Sequence, residues 1–296
     1  MNQQIKNFIK YITLALIICC QNACNKSLNA EIPSYIEITQ FDYYDNNNVL
    51  NNNAKITDAW VTMDGQNLGV FEIPSRIPIL SNDIETGTHS FDIYPGIKVN
   101  GISATRIKYP FYEKFEIDTI TERDSTINIT PSTRYTKETQ LHFNQDQSGF
   151  ENTNNILEAS LLSDTIPILQ DETVFQGEKS IGIYLDETHN YFHVTNNEEL
   201  TLTNNTNTFL ELNFKATIGF NVGLIIINNT PNTSNQTQEL IQLYATDNWK
   251  KIYLDLSPLI NMGNELSKYK IYFEGSYDDS EIINGIYIDN LNLVYN

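Results

Sequence analysis

From Ser34 onward, apolar and polar residues alternate with a period of two. SYIEITQFDYY sets Ile36, Ile38 and Gln40 on one face and Tyr35, Glu37 and Thr39 on the other. That alternation predicts strands with one buried face. DAWVTMDGQNLGVFEIP repeats it, with Ala59, Val61 and Met63 against Trp60, Thr62 and Asp64. Asp64-Gly65 predicts a tight hairpin, because both residues tolerate the positive φ that such a turn needs. Further strands are predicted at 88–94, entered through Gly87, and at 125–130, before Pro131. In the second half, Leu210, Leu212, Phe214 and Ala216 face away from Glu211, Asn213 and Lys215. Ile252, Leu254 and Leu256 likewise oppose Lys251, Tyr253 and Asp255. No stretch shows a convincing helical period, so the chain is expected to be all-β, with sandwiches of antiparallel sheets joined by polar turns.

The last strand breaks its own rhythm. Ile286 and Ile288 share one phase and Leu291 and Leu293 the other, with the slip at Asp289-Asn290. One extra residue at that point, a β-bulge, would keep all four apolar side chains inward.

Composition adds the setting. The 17 Tyr and 14 Phe suit strands. The formal charge is −19, and residues 1–23 hold two lysines and no acid, so the remainder is near −21. Nothing so acidic neutralises a phosphate backbone, which excludes nucleic acid as a partner. All three cysteines fall at positions 19, 20 and 24. Lys6 and Lys10 precede the apolar run Tyr11–Cys20, ten residues long, about half of what a membrane-spanning helix needs but enough for a secretory signal.

Gln21-Asn22-Ala23-Cys24 resembles the signal of a bacterial (Bacteroidota-like) envelope lipoprotein, with Gln21 where Leu is usual. The resemblance implies a signal peptide over 1–23 and an acylated Cys24. It also implies a tether over 24–33 and lipid anchoring to the outer membrane, on its periplasmic face or the cell surface. The segment at 55–95, with its Val-Thr-Met-Asp-Gly hairpin and Gly-Thr-His strand start, is similar to PEGA-type, immunoglobulin-like modules, which implies such a domain over 34–131. FQGEKSIGIYLD, NWKKIYLDLS and the terminal GIYIDNLNLVYN resemble carbohydrate-binding modules of the galactose-binding-like group. That implies a jelly-roll binding domain over 138–296. In such modules the acid of the final strand and an earlier acid often hold a structural calcium ion, which here points to Asp289 and Glu151. Calcium takes six to eight oxygens, so two carboxylates would be supplemented by carbonyls; otherwise Asp289 caps the bulge through its own backbone.

Sugar-binding surfaces stack rings on exposed aromatics, and Tyr184, Tyr191, Trp249, Tyr253, Tyr272 and Tyr277 are the candidates. Tyr253 stands out because it lies opposite Ile252 and Leu254. His189 and His193 have a spacing that would suit a metal on a helix, but the segment reads as turn and strand, without a third ligand nearby. After Cys24 no cysteine nucleophile, G-x-S-x-G elbow or P-loop occurs. The expectation is a non-catalytic, lipid-anchored glycan-binding protein. The rivals are an assembly lipoprotein docking on an outer-membrane protein complex through its N-terminal domain, with an apolar or basic patch near 96–115, and a hydrolase using an acid pair.

Overall fold

The computed structural model describes residues 33–51, 53–79, 87–122, 124–143, 150–151, 155–229 and 233–296. The expected signal, Cys24 and most of the tether lie outside these residues. The regular structure of the described chain is almost entirely strand, as its alternation requires, with one short helix at Ser257–Ile260.

The first half folds as two facing sheets. Ser75–Ile79, Ser34–Ile38 and Thr126–Asn128 form one. The other orders Gln66–Glu72, Asp58–Met63, Gly87–Lys98 and Arg106–Lys108, with Phe115–Thr121 also paired to the long strand Gly87–Lys98. The inward residues are those the period assigns: Ile36, Ile38, Ala59 and Val61 meet Ile77, Ile79, Phe91 and Ile93, all fully buried. The Asp64-Gly65 turn has φ of 49° and 78°, and Met63 pairs with Gln66 across it, as a two-residue hairpin of the primed type demands.

The second half is a larger sandwich of two antiparallel sheets. The five-stranded sheet runs Leu157–Ala159, Tyr191–Asn196, Lys268–Ser276, Phe220–Ile227, Gln236–Leu243. The six-stranded sheet runs Ile168–Gln170, Ser180–Leu185, Asn284–Tyr295, Thr208–Ala216, Thr246–Asp255, with Gln140–His142 joined to Asn284–Tyr295. Phe192, Val194, Leu212, Leu224, Phe273 and Ile288 are among the side chains closed between them. The expected slip in the last strand is present. Against Thr208–Ala216, the register steps from Glu211↔Asn292 to Asn213↔Asp289, and Asn290 takes a φ of 48°. Ile286, Ile288, Leu291 and Leu293 are all buried as a result.

The two sandwiches share a third, smaller core. Tyr43, Ile97, Tyr109, Phe111 and Tyr112 from the first meet Phe209, Tyr253 and Val294 from the second. Glu211 is buried inside this contact, where Oε1 accepts hydrogen bonds from the Tyr109 and Tyr135 hydroxyls at 2.6 and 2.8 Å. Its other oxygen meets Lys251 Nζ at 2.9 Å. A carboxylate taken out of water this completely needs all of its oxygens satisfied, and these three donors satisfy them. The connecting residues take part too. Ser132–Thr133 pairs in parallel with Asp42–Tyr43, and Thr133 is buried.

Candidate functional site

The side of the five-stranded sheet turned away from the core gathers polar and aromatic residues, of which Tyr272, Thr195 and His193 are buried. Alternation sends Phe192 and Val194 inward and Tyr191, His193 and Thr195 outward; on the neighbouring strand Ile271 and Phe273 turn in while Lys270, Tyr272 and Glu274 turn out. His193 and Glu274 are register partners, as are Thr195 and Tyr272. The imidazole of His193 stacks on Tyr272, with centroids 5.3 Å apart and planes 14° from parallel. His193 Nδ1 also lies 2.9 Å from Ser160 Oγ. Tyr191 donates its hydroxyl proton to Glu274 Oε2 at 2.8 Å, and Asn221 donates to Glu239 Oε2 at 3.2 Å.

Gly223 makes this floor possible. It is the register partner of Tyr272, and a Cβ there would lie 2.6 Å from the Tyr272 ring and 2.2 Å from the Gln238 carbonyl oxygen. Only a residue without a side chain lets the ring lie across the sheet. Burial, then the charges of Glu274 and Glu239, push the Tyr272 hydroxyl up to about 12. Burial and the Glu274 hydrogen bond push Tyr191 to about 12 as well. Both hydroxyls therefore stay protonated near neutrality, and that of Tyr191 serves as a donor to Glu274.

Beside this floor opens a cleft of about 810 Å³. Its floor includes Gly219, Asn221, Glu274 and Gly275, and its rim Asn190, Gln242, Tyr277, Asp278 and Asp279. Carboxylates and amides dominate and no cation lines it. Such a surface can accept hydrogen bonds from hydroxyl groups and donate others from its amides.

Of the aromatics singled out from sequence, Tyr277 lines the cleft and Tyr191 adjoins it through Glu274, whereas Tyr272 is 1% exposed. Tyr184 lies elsewhere: it pairs edge-on with Tyr287 at 5.8 Å on the outer side of the six-stranded sheet. Trp249 lies near Phe175, with centroids 5.9 Å apart. Tyr253 departs most from expectation. Rather than facing solvent, it is 2% exposed inside the contact between the sandwiches. Its hydroxyl accepts from the Lys55 backbone N–H at 2.9 Å and lies 3.2 Å from that of Tyr112. The residue that alternation turned away from one core was covered by the other half of the chain. Glu274, Asn221, Glu239 and Gln242 were missed, although the period that places Tyr272 outward also places Glu274 outward.

His189 and His193 go separate ways, the first exposed and beside Asp186 at 3.1 Å, the second buried against Tyr272. Among the described residues no three His, Cys, Asp or Glu side chains cluster as a metal site.

Asp289 and Glu151 do converge, on the loop 175–179. Asp289 Oδ2 accepts from the N–H groups of Phe175 and Gln176, both at 3.0 Å, and Oδ1 from Asn290 N–H at 2.7 Å. Glu151 Oε1 accepts from Glu178 and Lys179 N–H. Glu151 Oε2 is buried with no hydrogen-bond partner. Burial raises the Asp289 carboxyl to about 6, against those backbone donors, and the Glu151 charge adds to the rise. A buried carboxylate oxygen without a donor, beside a second carboxyl, has the chemistry that fits a hard cation such as calcium.

No protein-family model matches the chain, and no curated protein matches it. Solved structures do. A xylan-binding family 22 carbohydrate-binding domain from Paenibacillus barcinonensis is 13% identical, covering 49% of this chain and 88% of its own, with a TM-score of 0.36. A family 61 module in complex with β-1,4-galactotriose is 14% identical, covering 50% and 94%, with a TM-score of 0.31. A structure described under carbohydrate-binding modules of the β-sandwich superfamily is 13% identical, covering 89% and 98%, with a TM-score of 0.37. The likeness is to the β-sandwich class and stops there.

Proposed function

We propose that the protein is a non-catalytic glycan-binding protein of the bacterial outer membrane. In this reading it is held by acyl chains on Cys24 and takes its ligand on the outer side of the five-stranded sheet. The observation that carries the reading is the joint placement of Asn190, Asn221, Gln242, Glu274 and Tyr277 around an open, cation-free cleft, with Tyr191 held beside it by its hydrogen bond to Glu274. Ring C–H faces suit Tyr191 and Tyr277, and sugar hydroxyls suit Glu274, Glu239 and the amides. The clefts of small-molecule enzymes are more enclosed and apolar than this one. A calcium ion on Asp289 and Glu151 would stiffen the loop 175–179, which ties the last strand to its neighbour.

The rival reading, docking of the first sandwich on an outer-membrane protein complex, rests on Lys108. Its ammonium lies 3.8 Å from the Tyr94 ring centroid and 5.9 Å from that of Trp60, and it has no acidic partner among the described residues. The rest of the basic stretch is internally neutralised: Lys98 pairs with Glu72, Arg106 with Asp58 and Glu72, and Lys114 with Asp92 and Glu116. That leaves little free positive surface, so glycan binding is preferred.

The test is retention of the chain on a panel of immobilised polysaccharides, with Tyr191→Ala as control. Retention by at least one polymer, lost in the variant, is expected. No retention on any polymer would refute the reading.

A further inference from the structure

Where the sandwiches meet, the second half offers another concavity. A notch of about 420 Å³ is lined from both halves, by Lys55, Asn100 and Ile102 on one side and by Gln242, Tyr244 and Lys250 on the other. Lys251 lines it as well, and no acid does. In a chain with 18 Lys and Arg against 37 Asp and Glu, three lysines gathered without an acid run against the composition. Lys251 is spoken for by the buried Glu211. Lys55 and Lys250 have no acidic partner among the described residues. Their charges act on each other: the Lys55 ammonium is held below its ordinary value, first by burial, then by Lys250 and Lys98.

The notch is built, and does not arise from two loops lying side by side. The Lys55 backbone N–H donates to the Tyr253 hydroxyl, Asn100 N–H donates to the Tyr253 carbonyl at 2.8 Å, and Asp255 N–H donates to Asn100 Oδ1 at 3.0 Å. These bonds hold the lysine of one half against the strand that carries Lys250 in the other. Its walls are apolar and open, with Ile102 48% and Tyr244 75% exposed. Gln242 lines both this notch and the acidic cleft, so the two are neighbours along one edge of the five-stranded sheet.

We propose that the notch is an anion subsite, in which Lys55 and Lys250 take a single negative substituent of a glycan whose neutral backbone lies in the cleft. This rests on the glycan reading and deepens it. The acids of the cleft repel a uniform polyanion, whereas a mostly neutral polymer with isolated acidic groups matches both regions. Tyr244 offers a ring face to the sugar that carries the charge. A carboxylate, as in a hexuronate, and a sulfate ester share the chemistry that two ammonium groups recognise.

The test compares three oligosaccharides of equal length against the full chain: neutral, hexuronate-substituted and sulfate-substituted. Two partly exposed ion pairs are expected to favour an acid-bearing ligand by about tenfold over the neutral one. That preference should shrink as salt rises from about 20 to about 500 mM. Which acidic arm gains identifies the substituent. Lys55→Gln/Lys250→Gln should remove the preference and leave neutral affinity unchanged. Equal affinities in the wild type, or a preference kept in the variant, would overturn the proposal. If no oligosaccharide binds, the sheet-face reading fails and the notch is tested alone, by NMR titration with galacturonate and with inorganic sulfate. Saturable shifts at Lys55 and Lys250 uphold the subsite, and non-saturating shifts at both overturn it.

Discussion

Asp289 accepts three backbone N–H groups inside a β-bulge, yet burial still lifts its carboxyl from 3.8 to about 6. A folded-state value above the unfolded one means that the group contributes stability below pH 3.8, which is lost as pH rises through about 6. The loss is on the order of 3 kcal/mol for a shift of this size. Comparing the wild type with Asp289→Asn in chelator should therefore show stability curves that diverge between pH 4 and 7, with the wild type falling more steeply; parallel curves would remove the effect. Calcium favours the ionised form, so it should restore wild-type stability at pH 7 and leave Asp289→Asn little changed. Identical melting with calcium and with chelator would rule out the metal. The bulge itself was legible, because a slip in a period-two pattern is local. The donors to Asp289 were not, since Phe175 and Gln176 lie more than 100 residues away in sequence, at separations of 114 and 113.

At the level of elements, the outer side of the five-stranded sheet depends on Gly223 lying under Tyr272. Gly223→Ala forces the ring and the neighbouring strand apart, at a cost of about 1–3 kcal/mol typical of overpacking. Thermal unfolding should report that loss, and unchanged melting would show that the ring moves freely. The strand Thr208–Ala216 carries the other decisive position. Glu211→Ala leaves Lys251 and two tyrosine hydroxyls buried without their partner, which should cost about 3–5 kcal/mol. Glu211→Gln, which keeps an acceptor, should cost less, and equal losses would mean that the charge is irrelevant. Strand positions and inner faces could be read from alternation alone. The outward positions could not be divided into solvent and interface in the same way: Glu211 and Tyr253 look as exposed in the pattern as Tyr191 and Glu274. What separates them is the first sandwich docking on one sheet and not on the other.

On the scale of the whole molecule, the two sandwiches are joined by a buried, hydrogen-bonded contact. The residues between the two domains expected from sequence, 34–131 and 138–296, belong to it, with Thr133 buried and Tyr135 packed against the shared aromatic cluster. Limited proteolysis of the folded chain should spare this segment. The second half expressed alone, from residue 138, should melt several degrees lower than the full chain, because Phe209, Tyr253 and Val294 lose their cover and Glu211 loses both tyrosines. Equal melting temperatures would show that the contact contributes nothing to stability. A fixed contact also fixes the notch beside the cleft, so one ligand can meet both halves of the chain.

The central claim is that the outer side of the five-stranded sheet binds glycan. A glycan array probed with the chain from residue 25, alongside a Tyr191→Ala/Glu274→Gln variant shown by melting to be folded, tests it most directly. The account predicts a defined set of bound glycans that the variant loses. An empty array, or the same set bound by the folded variant, would contradict it.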